Sequence, residues 1–238
     1  MLKLQDVTKT YDQRGRSVVA VHDLNVDIDE GEFVVVHGPS GSGKSTLLLL
    51  LGGMLPPDSG RVLFQDDDVY GWAPAARNRY RKRTVGFIFQ RYFLIPYLSM
   101  LDNIRMPLVI QGRKAEGLDE VRRLARRLQI EDRLAHRPGE LSVGEQQRAA
   151  VARAMIGGKR LILADEPTGN LDTPNAQIIA RCLREEREHG RTILLVTHDP
   201  SLLDIGTRHL RLQSGELLGT DPAEEPTGGE ASATERRT

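Results

Sequence analysis

The chain has a single cysteine, Cys182, in 238 residues. No disulfide can form within it, which excludes the stapled scaffold of small secreted domains and fits a reducing compartment. Long apolar runs are also missing. The longest are Phe33–Val36, Leu47–Leu51 and Leu161–Ala164, far short of the ~20 residues a spanning helix needs. The opening residues, MLKLQDVTKTY, hold no apolar signal core. Any link to a membrane is therefore expected to pass through a partner. Excess charge of either sign is absent too: 33 Lys and Arg face 33 Asp and Glu, which removes any general electrostatic case for nucleic acid. What remains, 39% hydrophobic and 28% charged residues, is the composition of a folded domain and not of a disordered or fibrous chain.

The order of patterns points to an α/β architecture. Leu2, Leu4 and Val7 precede a turn at 12–15; Val18, Val19 and Val21 follow, then Leu24, Val26 and Ile28 in strict alternation. That is a half-buried antiparallel pattern. Phe33–Val36 is a continuous apolar run, as in a strand buried on both faces. Further strands are expected at Arg61–Phe64, Val85–Phe89, Leu161–Ala164 and Thr192–Val196, and helices at Ser45–Leu51, Gly144–Ile156 and Asn175–Glu188. Strand and helix in alternation predict a mainly parallel sheet covered by helices. Helical character is expected from about Arg91 to Arg137, where Leu118, Val121, Leu124, Ala125 and Leu128 repeat at helical spacing. Arg122, Arg123, Arg126 and Arg127 read as the solvated face of that helix, with a nucleic-acid or lipid-headgroup role as the alternative. A last hairpin is expected at Leu210–Leu217. Residues 220–238, rich in Pro, Gly, Glu and Thr, are expected to be disordered.

Gly38-Pro39-Ser40-Gly41-Ser42-Gly43-Lys44-Ser45 fits the phosphate-binding pattern GxxxxGK[ST] and is followed by Thr46. It stands between a buried strand and a helix, where its mechanism requires it. Backbone N–H groups at a helix start wrap phosphates, the lysine reaches the terminal ones, and the Ser45 hydroxyl can ligate Mg²⁺. The strand Leu161–Ala164 ends in Asp165 and Glu166. Carboxylates at the C-terminal end of a buried strand face the ligand in open α/β sheets. Asp165 suits the metal, and Glu166 suits a general base for water. These two motifs together indicate a P-loop NTPase.

Leu141-Ser142-Val143-Gly144-Glu145-Gln146-Gln147-Arg148 reads locally as a capped helix start, Ser142 pairing with Glu145. It also resembles the signature LSGGQ of ABC ATPases and precedes the Asp165 strand as in that family. Gly86-Phe-Ile-Phe-Gln90, Val196-Thr-His198-Asp199 and Gly169-Asn-Leu-Asp172 follow in the family's order. The resemblance runs from about Leu2 to Gly219. Within the family, GEQQR and Glu166-Pro-Thr-Gly-Asn-Leu-Asp172 look most like the lipoprotein-releasing, macrolide-export and cell-division group. Val143 departs from the usual glycine.

The resemblance implies a RecA-like P-loop NTPase core with an N-terminal antiparallel β-subdomain (together about 1–90 and 141–219) and an inserted helical subdomain (about 91–140). ATP and Mg²⁺ are the implied cofactors. Ser45, Gln90 and Asp165 would serve the metal; Glu166, His198 and Gln90 would serve catalysis. Tyr11 stands where the family stacks an aromatic on adenine. Ser142, Val143, Gly144, Glu145 and Asp172 would face the nucleotide of a second copy in a head-to-tail homodimer. A multi-span permease of the macrolide-export or cell-division kind is the implied membrane partner, with the chain on the cytoplasmic face of the inner membrane. The segment Tyr92–Pro107 is the expected docking surface, ordinary core being the alternative for each residue. A soluble cassette acting on nucleic acid is disfavoured by the neutral charge and single cassette, and a kinase or GTPase by the signature.

Overall fold

The computed structural model describes residues 1–13, 15–113, 116–169 and 171–222. Two sheets make the frame. The first is antiparallel, with order β2-β1-β4-β5. It is built from β1 (Leu2–Gln13), β2 (Arg16–Ile28), β4 (Ser59–Phe64) and the short β5 (Asp67–Asp68). The burial of β2 alternates through Leu24, Val26 and Ile28, as a sheet with one face covered requires.

The second sheet has six strands in the order β10-β9-β3-β8-β7-β6. These are β3 (Phe33–His37), β6 (Val85–Ile88), β7 (Leu161–Asp165), β8 (Thr192–Val196), β9 (Arg208–Gln213) and β10 (Glu216–Pro222). All pairings are parallel except β10 on β9. Side chains alternate between two cores. Val34, Val36, Leu161, Leu163, Leu194 and Val196 pack with helix α1 (Lys44–Leu51) and the antiparallel sheet. Phe33, Val35, Ile162, Ala164, Ile193 and Leu195 pack with the helices of the other side. These are α3 (Met100–Ile110), α4 (Leu118–Arg127), α5 (Val143–Met155) and α6 (Thr173–Glu188). The runs Phe33–Val36, Leu161–Ala164 and 193–196 within these strands are apolar throughout and buried on both faces, as their continuity predicts.

The structure adds one helix and shortens another region. Helix α2 (Pro74–Arg83) stands where no element was expected. Proline at its first turn starts it, but only Tyr80 of its ten residues is buried, so no apolar stripe announces it. Residues 91–99 are irregular rather than helical. α3 begins only where Ser99 caps it by accepting from the Asp102 N–H. Cys182 lies in the core against Met155, and burial pushes its thiol up to about 12. Most of the expected disordered tail, 223–238, falls outside the described residues.

Candidate functional site

The C-terminal ends of β3, β7 and β8 meet at one edge of the six-stranded sheet. The loops that leave them form a cleft of about 730 Å³. Residues 38–41 and 43–46 line it, together with Tyr11, Gln90, Asp165, Glu166 and His198. The loop after β3 holds its shape because two glycines allow contacts no side chain could. A Cβ on Gly38 would stand 1.9 Å from the Leu212 carbonyl oxygen, and one on Gly43 2.0 Å from that of Ala20. Gly43 also takes φ +99° as the residue before α1, a conformation that suits glycine. The loop thus wedges between β2 and β9 and lines the cleft where α1 begins. Lys44 is nearly buried and donates to the carbonyls of Gly38 (2.9 Å) and Pro39 (2.8 Å). Ser42 lies beneath the loop, its N–H donating to Pro39 at 3.3 Å, and does not line the cleft.

Asp165 ends β7 and Glu166 begins the following turn at φ +45°. A positive φ on a glutamate is uncommon and is held by its surroundings. Its N–H donates to the Val196 carbonyl at 2.9 Å. Its side chain is 11% exposed, with Oε1 2.7 Å from His198 Nδ1. Oε2 accepts at 3.4 Å from both the Thr197 hydroxyl and the His198 N–H. The carboxylate is therefore aimed rather than free. Burial raises the Asp165 carboxyl above its ordinary value; a hydrogen bond from Ser45 and the charge of Lys44 oppose that rise, and Glu166 adds to it. A cation beside Asp165 would reverse the effect. The candidate metal donors Ser45, Asp165 and Gln90 offer oxygen only, the donor set of a hard ion. Among the described residues no group of three or more His, Cys, Asp or Glu could hold a metal by itself.

Sequence reasoning missed one wall. Val18, Val19 and Ala20 of β2 line the cleft with Tyr11, whose hydroxyl lies 3.4 Å from Thr46 Oγ1. Val18 and Val19 are exposed apolar residues on a strand. Two neighbouring valines open to solvent were the available signal, and both stand at the cleft beside the phosphate loop.

Ser142, Val143, Gly144, Glu145 and Asp172 do not line this cleft. They form a second constellation where α5 and α6 begin. Ser142 Oγ accepts from the Glu145 N–H at 3.2 Å, while Glu145 Oε2 accepts from the Ser142 N–H at 2.8 Å. Arg133 Nε donates to Glu145 Oε1 at 2.8 Å. That bond and the Ser142 N–H pull the Glu145 carboxyl down to about 2. Val143 projects into solvent from the first turn. Asp172 caps α6 by accepting from the Asn175 N–H. Beside Gln90, a further groove of about 440 Å³ is lined by Tyr92, Phe93, Leu94 and Pro96 on one side and Pro138 and Gly139 on the other. Within the segment expected to dock a partner, Phe93 and Tyr97 are 62% and 73% exposed, whereas Met100 and Ile104 are core.

The family pattern described as "ABC transporter" matches residues 21–169. The chain is 40% identical over 222 residues to an uncharacterised ABC transporter ATP-binding protein of Thermotoga maritima, covering 93% of this chain and 95% of that protein. It is 39% identical over 220 residues to the lipoprotein-releasing system ATP-binding protein LolD of Syntrophus aciditrophicus, covering 92% of this chain and 99% of that one. Against the macrolide export ATP-binding/permease protein MacB of Marinobacter nauticus the identity is 39% over 95% of this chain, which spans only 35% of that longer protein. Among solved structures, the dimeric bacterial ABC transporter cassette MJ0796 superposes with a TM-score of 0.89 at 36% identity, covering 94% of this chain and 100% of that one. Its post-hydrolysis dimer bound to ADP and Pi matches at 0.86, with the same identity and coverage.

Proposed function

The chain belongs to the ABC transporter family of ATP-binding proteins, and on that premise we propose that its cleft holds Mg·ATP and hydrolyses it within a head-to-tail pair of chains that drives a membrane permease. The observation that carries this reading is a division. One chain brings the phosphate loop, Asp165, Glu166 and His198 to a single cleft, while residues 142–145 stand outside it. A second copy, turned end for end, would supply Ser142–Glu145 and Asp172 to close over the γ-phosphate.

In this reading the adenine lies on Tyr11, Val18 and Val19. The loop amides of 38–46 cradle the phosphates, and Lys44 exchanges the carbonyls of Gly38 and Pro39 for the terminal phosphate oxygens. Ser45, Asp165 and Gln90 would hold Mg²⁺, which neutralises charge on the β- and γ-phosphates when bound. Glu166 accepts the proton of the attacking water. His198 fixes the direction of that carboxylate and faces the γ-phosphate as the second copy closes. The glutamate then acts from a set position, which is where general-base catalysis gains most.

The groove beside Gln90, with exposed Phe93 and Tyr97 at its edge, is where we place a cytoplasmic segment of the permease, with 91–140 as the lever that moves it. No described helix is long and apolar enough to cross a membrane; the chain is proposed to sit at the cytoplasmic face through that partner. A permease of the lipoprotein-release, macrolide-export or cell-division kind fits the relatives. Glu166→Gln tests the core of the proposal. It should retain ATP affinity, lower turnover by about 10²–10⁴-fold, and accumulate an ATP-dependent dimer in sedimentation. Turnover equal to the parent would remove Glu166 from its role. A strictly monomeric Glu166→Gln chain, saturated with Mg·ATP and supplied with its permease, would overturn the dimer.

A further inference from the structure

Helix α5 carries the residues meant for the neighbouring nucleotide, yet it is fastened to the loop that carries the chain's own general base. Gln147 is 2% exposed, and its Nε2 donates to the Pro167 carbonyl at 2.8 Å. Pro167 directly follows Glu166. The amide satisfies that carbonyl at a cost, since among the described residues Gln147 Oε1 is buried without a hydrogen-bond partner. One turn earlier the same helix touches the same segment again. A Cβ on Gly144 would fall 2.8 Å from Asn175 Cγ, so the asparagine amide lies flat against the glycine. That amide donates to Asp172 Oδ1 at 2.6 Å. Two short contacts thus clamp the start of α5 to both ends of the 166–175 segment.

We propose that Gln147 and Asn175 are positioning residues that couple the two nucleotide sites of the dimer. A shift of Ser142–Glu145 on closing over the second copy's γ-phosphate would be carried through Gln147 to the carbonyl beside Glu166, and through Asn175 to Asp172. Engagement at one site then sets the aim of the general base at the other. The inference rests on the dimer reading above, and its test separates the two.

The test uses the full chain as Gln147→Met, which keeps length and apolar volume but cannot donate, and as Asn175→Ala, on a half-buried position where folding is not at stake. Mg·ADP affinity, read by calorimetry, reports the cleft of a single chain; it should match the parent in both variants. ATP turnover against ATP concentration should be cooperative in the parent, with a Hill coefficient approaching about 2 for two coupled sites. In each variant the coefficient should fall toward about 1, and kcat should fall by about tenfold. The proposal is overturned by a parent that dimerises without cooperativity, by variants whose kcat and Hill coefficient equal the parent's, by a fall in kcat at unchanged cooperativity, or by lost ADP affinity. Failure of Glu166→Gln to dimerise would instead sink the reading beneath it.

Discussion

The phosphate-loop end of the molecule and the α5–α6 end satisfy their polar groups in opposite ways. At the phosphate loop, the residues at a helix start line an open cleft, and Lys44 donates to two loop carbonyls. At the other end Ser142 and Glu145 bond each other reciprocally, Arg133 donates to Glu145, and Asp172 is occupied by Asn175. The first is built to receive a ligand by itself. In the proposed dimer the second is instead carried to a ligand held by the other copy. A polar site complete without a ligand recognises by shape and position; one left open recognises by satisfying its own donors.

The largest way to break this contrast is Lys44→Ala. It should weaken nucleotide binding to the single chain by at least about 100-fold, near 3 kcal/mol, the scale of a hydrogen-bonded charge. Calorimetry with Mg·ADP reads it directly, and parent-like affinity would undo the phosphate-loop assignment. Ser142→Ala sharpens the contrast from the other side. Losing the cap should lower unfolding free energy by about 1 kcal/mol, measured as a urea midpoint, with ADP affinity unmoved and ATP-dependent dimerisation weakened. If ADP affinity fell as well, the two ends would not be separate.

The smallest effect is expected with acid. The folded Glu145 carboxyl is depressed to about 2, chiefly by Arg133 and then by the Ser142 N–H. A depressed acid stabilises the fold above its unfolded value near 4.5, and that contribution disappears as pH falls toward 2. Stability of the parent relative to Glu145→Gln should therefore decline across this window and level off below it. A gap that is flat through the window would detach Glu145 from Arg133.

The same contrast explains what could be read from the residues alone. Gly38–Ser45 and Asp165–Glu166 were legible because backbone geometry dictates both: a turn that excludes Cβ atoms, and acids at a strand's end. The parallel strands were legible because burial on both faces leaves no polar position in Leu161–Ala164 or 193–196. Helix α2 was not, since a helix with one buried residue has no period to detect. Val18 and Val19 were not, because their place beside Tyr11 depends on the register of β1 with β2, where Tyr11 pairs with Val18. The link from Gln147 to Pro167 crosses from a helix to a loop through one side chain, and no spacing rule encodes it.

The phosphate loop is braced by a segment made roughly 170 residues later. Gly215 donates to the Ser42 carbonyl at 3.1 Å and accepts from the His22 N–H at 2.9 Å, while Leu212 presses on Gly38. On the ribosome, the most recognisable motif of the chain must therefore wait for its buttress. The loop takes its final shape only after the β9–β10 hairpin has emerged and docked, so nascent chains halted before residue 215 should be unable to retain nucleotide even with every residue of the motif already synthesised.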